Sequence, residues 1–256
     1  LTLPFVLVHG GAHGAWCWEP MLGMLDGTKL AVDLPPKEIR GVVKPDPVPP
    51  ELATTTIDDF ATSAIADIDT AGIEQFVLVG HSMGGLTIAE IARRIPERIS
   101  RLVFVSCMVP PEGGRVIDAV PADSMEKAAE LVEGGEQGEP RSDVGLDEAT
   151  IRHMFCNDMT EEQTRFVLDH TGPEVAAVFG ERVTRQGLPA ELPKTYVRLL
   201  RDQALSPADQ DRAIAALRDV PGGEVEIVEL DTGHDVMISA PKQLADVLNE
   251  IAQTAA

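Results

Sequence analysis

The chain has 256 residues, 44% of them apolar and 25% charged, the balance of an ordinary globular protein with enough chain for one large core. Its 42 acidic residues against 21 basic ones give a formal charge of −21, which argues against nucleic acid or an anionic membrane as a partner. Cys17, Cys107 and Cys156 are odd in number and scattered, so neither a disulfide framework nor a metal site is expected, and a reducing cytoplasm is the expected compartment. No apolar run approaches the roughly 18 residues of a membrane span, and no basic-plus-apolar leader is visible after Leu1.

In chain order, Leu3 to Val8 reads as a first strand, followed by the glycine-rich stretch His9-Gly-Gly-Ala-His-Gly-Ala-Trp-Cys-Trp18. Pro20 to Leu25 reads as a short helix and Lys29 to Val32 as a second strand. The proline- and valine-rich segment 37–55 lacks any period and is expected to be a surface loop. Ile57 to Ala71 is amphipathic, with Thr56 placed to cap it and Asp58 and Asp59 in its first turn. Phe76 to Val79 is a buried-strand pattern, Leu86 to Arg94 a helical one, and Arg101 to Ser106 another strand.

From Pro110 the pattern changes to short helical pieces at Ser124–Val132, Asp147–Phe155 and Glu161–Asp169, separated by proline and glycine. Residues 110–190 are therefore expected to form a helical cap inserted into a core made of 1–109 and 191–256. The core resumes with a strand at Lys194–Leu200, a helix at Pro207–Leu217, a strand at Glu224–Leu230 and a closing helix at Pro241–Ala252. Alternating strands and helices predict a mainly parallel sheet with helices on both faces, and such sheets place their sites at the carboxyl ends of the strands.

Between the strand at 76–79 and the helix at 86–94 lies Gly80-His-Ser-Met-Gly84, a G-x-S-x-G pattern. A strand-to-helix turn this tight lifts the serine hydroxyl clear of the backbone and tolerates only small neighbours. Ser82 is therefore the candidate nucleophile. An activated serine needs a base and a carboxylate to orient the base. His234, between a strand end and the last helix, is the candidate base. Asp202, just past the strand at 194–200, is the candidate acid, and Asp209, Asp211 and Asp219 are weaker rivals on or after a helix. His153 and His170 fall in the insertion, and His81 is expected to pack behind the serine. The N–H groups of Gly11 and Met83 are the candidate oxyanion donors. His13, Trp16, Phe155, Phe179 and Met237 are the candidate pocket lining.

With Val8 to Trp18, Gly80 to Gly85, Tyr196 to Pro207 and Gly233 to Pro241 in view, the chain resembles the α/β-hydrolase superfamily. Within it, the chain strongly resembles the plant methylesterase and hydroxynitrile lyase group and its bacterial esterase-like relatives. The likeness spans the core and becomes vague across 111–190. It implies the α/β-hydrolase fold, a triad of Ser82, Asp202 and His234, a helical cap over an apolar pocket, and no cofactor. The lyase branch has Thr at the position of Gly10 and Lys at that of Asp235, so an acid at 235 is expected to repel cyanide and disfavours lyase activity. Ser82 in place of Asp also argues against dehalogenase or epoxide hydrolase chemistry. The expected function is cleavage of a small, largely apolar carboxylic ester. A hydrolase-fold ligand receptor, or a biosynthetic lyase, cyclase or acyltransferase, remains open because the fold alone does not choose. The oligomeric state is open too, with a homodimer as one option.

Overall fold

A computed structural model describes residues 2–47, 49–121, 146–219 and 224–255 of the protein. The strands are β1 (Phe5–Val8), β2 (Lys29–Val32), β3 (Phe76–His81), β4 (Ile99–Val105), β5 (Lys194–Leu199) and β6 (Glu226–Leu230). They form one six-stranded sheet in the order β2-β1-β3-β4-β5-β6, with each adjacent pair parallel. All residues of β1 and β3 are buried, which is why both read as unbroken apolar runs.

Side chains alternate between two cores. Val6, Leu78, Phe104 and Tyr196 enter one; Leu7, Val79, Val103 and Val197 enter the other. The helices are α1 (Glu19–Leu22), α2 (Ile57–Thr70), α3 (Gly84–Arg94) and α4 (Glu148–Phe155). After them come α5 (Glu161–His170), α6 (Pro207–Arg218), α7 (Val236–Ser239) and α8 (Pro241–Thr254). The first core is closed by α2, α3 and α6 through side chains such as Phe60, Ile68, Ile91 and Ile214. The second is closed by α1 and α8 through Met21, Leu244 and Leu248. Thr56 caps α2 as its sequence predicts: its side chain accepts from the Asp59 N–H, and the Asp59 carboxylate accepts from the Thr56 N–H.

The segment 37–55 is not wholly a surface loop. It contains 3-10 turns at Lys37–Ile39 and Pro50–Ala53 that bury Ile39 and Leu52. Turns this short have no period to detect. The same is true of α7, which the sequence reading missed. The expected helix Ser124–Val132 lies outside the described residues. No helix among the described residues is long and apolar enough to cross a membrane.

The register aligns the carboxyl ends of the strands. Val8 pairs with both Val32 and Gly80, His81 with Val105, and Leu199 with Leu230. The loops that follow β1, β3, β4, β5 and β6 therefore leave the sheet along one edge. At that edge α3 approaches β1 closely: a Cβ on Gly84 would stand 2.7 Å from the carbonyl oxygens of both Val8 and His9. Backbone oxygens cannot move aside as a flexible side chain does. Gly84→Ala is expected to lower the unfolding free energy by about 2 kcal/mol in urea titration. Gly23→Ala, where no atom lies within 4 Å and φ is −69°, is expected to be neutral or slightly stabilising. Equal stability of the two variants would contradict this account of the junction.

Candidate active site

Ser82 lies in the turn between β3 and α3 with φ at +52°, a left-handed conformation uncommon outside glycine. Three backbone bonds hold it there. Its N–H donates to the Val105 carbonyl at 3.1 Å, and its carbonyl accepts from Gly85 and Met108, both at 3.1 Å. Ala12, in the loop after β1, and Ser106, directly after β4, are the other non-glycine residues at positive φ among the described residues.

His234 follows β6 and is buried. Its Nδ1 lies 2.6 Å from Asp202 Oδ2, and both side chains are at most 1% exposed. Asp202 follows β5. Its other oxygen accepts from the Ala204 and Leu205 N–H groups at 2.7 and 2.8 Å, and Ser106 Oγ donates to Oδ2 at 2.6 Å. With these donors around it the Asp202 carboxyl serves as acceptor, so Nδ1 is the donor of the His234–Asp202 bond. The imidazole is wedged between Phe155, nearly parallel at 5.6 Å, and His81 at 4.5 Å between centroids.

Ser82 and His234 line one cavity of ≈ 540 Å³. Gly11 and Met83 line it as well, and neither N–H is bonded to an acceptor among the described residues. Phe155 and Phe179 contribute apolar wall, as the sequence suggests, and Leu146, Thr150 and His153 extend the α4 side.

Three expected lining residues lie elsewhere. His13 is 1% exposed and sits behind the cavity, stacked on Trp16 at 5.1 Å. Its Nδ1 bonds to the Gly11 carbonyl at 2.7 Å and its Nε2 to Asp235 Oδ2 at 2.9 Å. Trp16 packs against Phe166 and His170, and Met237 is fully buried in the second core. His13 is held inward by its bonds to Asp235 and the Gly11 carbonyl, and Trp16 and Met237 by packing in the second core.

Asp235 also turns inward. Its carboxylate is fully buried on His13, with one oxygen 3.8 Å from His81 Nε2, so it presents no charge to the cavity wall. The expectation that this acid repels cyanide from the pocket is therefore withdrawn. Gly10 is closed by packing instead, since a Cβ there would come within 2.7 Å of Ser82 Cβ. His81, as expected, lies behind the serine, fully buried, with Nε2 3.1 Å from the His234 carbonyl oxygen. His81, His234 and Asp235 offer ligand atoms within 4.8 Å of one another, a candidate cation set. Those side chains are already engaged by Asp202, the His234 carbonyl and His13.

Sequence reading missed three contributors. Ser106 was visible only as a strand residue. Asp158 accepts from the Gly233 N–H at 2.6 Å and so fixes the His234 loop from the segment between α4 and α5. Glu174 lines the cavity beside Gly11, where the sequence offers only the Gly172-Pro173 break as a signal.

The model of the alpha/beta hydrolase family matches residues 5–247. The chain belongs to that family. It is 27% identical over 272 residues to methylesterase 2 of Arabidopsis thaliana, covering 97% of this chain and 95% of that one. It is 28% identical over 246 residues to a carbendazim hydrolyzing esterase of Nocardioides sp. (strain SG-4G), covering 95% and 97%. An extracellular α/β-hydrolase from a Paenibacillus species superposes with a TM-score of 0.76 at 22% identity, covering 97% of this chain and 98% of that one, and shares the fold. The family thus includes plant methylesterases and bacterial esterases among its members related to this chain.

The His13–Asp235 pair ties stability to pH. Burial pulls the His13 pKa down, but the charge and hydrogen bond of Asp235 outweigh it and hold His13 above the ordinary histidine range. Burial pushes Asp235 up, and His13 outweighs it, so Asp235 lies below the usual carboxylate range. A raised histidine stabilises fully below its unfolded value of about 6.5 and loses that contribution as pH rises through its folded value. A depressed carboxylate stabilises fully above about 3.9 and loses it as pH falls through its folded value. The gap in unfolding free energy between wild type and Asp235→Asn is expected to be about 3 kcal/mol near pH 6 and to narrow toward pH 9. Urea titrations across that range check it. A gap independent of pH would mean that His13 is uncharged in the folded protein.

Proposed function

We propose that the protein is a serine hydrolase that cleaves a carboxylic ester of a small, largely apolar substrate. The observation that carries this reading is one cavity lined by Ser82, His234 and the unbonded N–H groups of Gly11 and Met83, with His234 held on Asp202 at 2.6 Å. Among the described residues of the expected cap, Leu146, Phe155, Glu174 and Phe179 line that cavity. The related methylesterases and esterases support the same reaction class.

In the first half-reaction His234 Nε2 takes the Ser82 Oγ proton while Oγ forms a bond to the ester carbonyl carbon. The carbonyl electron pair moves to oxygen, where the Gly11 and Met83 N–H groups receive the negative charge. The intermediate collapses, the bond to the alkoxy oxygen breaks, and His234 gives its proton to the departing alcohol. Water then enters, loses a proton to His234 and attacks the acyl-serine by the same route, which releases the acid and returns the proton to Ser82. Asp202 keeps the tautomer that makes each transfer productive. The mechanism calls for no cofactor and for no nucleic acid or membrane partner.

Turnover of p-nitrophenyl acetate is expected in the wild type and should be abolished both by a serine-directed phosphonate and by Ser82→Ala. Asp202→Asn is expected to cost roughly ten-thousandfold in kcat with KM little changed, because the amide favours the wrong tautomer. Retention of turnover in Ser82→Ala would overturn the mechanism. Tight binding of a ligand without wild-type turnover would favour a receptor.

A further inference from the structure

Glu174 follows α5 and Pro173 and is one of the residues that line the cavity that holds Ser82. The residue is only 9% exposed. Oε2 accepts from the Ala12 N–H at 2.5 Å and Oε1 from the Val175 N–H at 2.6 Å. These bonds press the carboxyl against the loop that carries Gly11, so closely that a Cβ built on Gly11 would collide with Oε2 and with Met83 Sδ. The group is thus anchored beside the N–H groups assigned above to the oxyanion, in a wall otherwise made largely of Phe155, Phe179, Met108 and Leu205.

Two physical consequences follow. Each carboxylate oxygen can accept more than one hydrogen bond, so both retain capacity beyond the backbone N–H groups. A carboxylate next to a developing oxyanion opposes it unless a donor stands between them, and its repulsion also disfavours an anionic substrate. The carboxyl is kept from the fully hydrated state of an ordinary glutamate: burial pushes its pKa up, against Arg40, the two backbone donors and His13. No step of ester cleavage by Ser82, His234 and Asp202 uses it.

We propose that Glu174 is the acceptor for a hydrogen-bond donor, a hydroxyl or an ammonium, that the substrate carries close to its ester carbonyl. The substrate class becomes esters of hydroxy or amino acids with an apolar remainder, as opposed to plain alkyl or acidic esters. This rests on the esterase reading above, and its test separates the two.

The probes are methyl mandelate, methyl phenylglycinate and methyl 2-phenylpropanoate, which share a skeleton and differ in a hydroxyl, an amine or a methyl group. Wild-type kcat/KM is expected to favour the hydroxyl or the amine ester over the methyl one by about ten- to a hundredfold. Whichever arm leads identifies the donor. Glu174→Leu should bring the ratio within about twofold. Glu174→Gln, which keeps the size and one acceptor oxygen, should retain part of a hydroxyl preference and lose more of an ammonium preference. A wild type without preference, or a preference unchanged in both variants, overturns the proposal. So do losses equal across the series, which would mean that Glu174 only holds the Ala12 loop. Calorimetric binding of the corresponding amides repeats the comparison without turnover, and thermal melts monitor folding of both variants. Amide preference without ester cleavage and without phosphonate labelling of Ser82 would sink the esterase reading and leave this one standing. Cleavage without preference would do the reverse, and failure to bind or cleave any member overturns this proposal.

Discussion

The left-handed turn at Ser82 is the constraint from which the rest of the site takes its position. Such a conformation costs on the order of 1–2 kcal/mol, and it persists because the surrounding backbone over-determines it. The parallel pairing of β3 with β4 brings the Val105 carbonyl to the Ser82 N–H, and the chain beyond β4 returns to the Ser82 carbonyl through Met108. Gly84 then lets α3 start against the backbone of Val8 and His9. Because the same contact sets the height of the loop after β1, the serine and the Gly11 N–H are placed by one junction. A side chain at Gly84 would disturb both together.

Behind that junction lies a buried polar layer of His9, His13, His81 and Asp235. The layer settles its charge unevenly. Burial, reinforced by Arg40 at His9 and by His234 at His81, drives these two imidazoles well below their ordinary pKa, whereas Asp235 keeps His13 high. His9 Nε2 accepts from the Leu34 N–H at 3.1 Å, the role of a neutral ring. One ion pair among neutral rings costs less than several isolated charges in the same volume. The layer leaves His81 Nδ1 and one Asp235 oxygen without hydrogen-bond partners among the described residues, so its satisfaction is incomplete. It still fixes the His234 loop, because His81 reaches the His234 carbonyl directly.

The fold was largely legible because β1 and β3 are compact apolar runs and α2, α3 and α8 have a clear period. Lys29–Val32 coincides with its strand, and α2 begins at the residue its Thr56 cap predicts. Ser82, Asp202, His234, Gly11 and Met83 were legible as candidates because each sits at a strand end, where chain order alone restricts the choice. The direction of a side chain in the loops and short turns after the strands was not legible. His13, Trp16 and Met237 have the chemistry of pocket residues, yet packing against the sheet and the Asp235 charge turn them inward. Asp235 shows the same limit: its neighbour His234 faces the cavity and it does not. Glu174 and Asp158 escaped notice because their roles depend on contacts to Ala12 and Gly233, far away in sequence.

Those long-range contacts hold the α4–α5 region to the core through backbone groups. Asn157 Nδ2 donates to the Arg201 carbonyl at 2.8 Å, Asp158 accepts from Gly233, and Gln163 Nε2 donates to the Ile238 carbonyl at 2.7 Å. Each bond joins the α4–α5 region to backbone next to Asp202 or His234, so the attachment does not depend on which side chains the core presents. The cavity wall obeys a different rule. Leu146, His153 and Phe179 line the cavity, where a change of size or polarity reshapes the volume. Glu174 falls between the two regimes, since it is bonded to the backbone of Ala12 and also faces the cavity. A substitution such as Glu174→Leu removes the acceptor for Ala12 together with the acceptor at the cavity, so the wall at this one point is tied to the integrity of the loop beneath it.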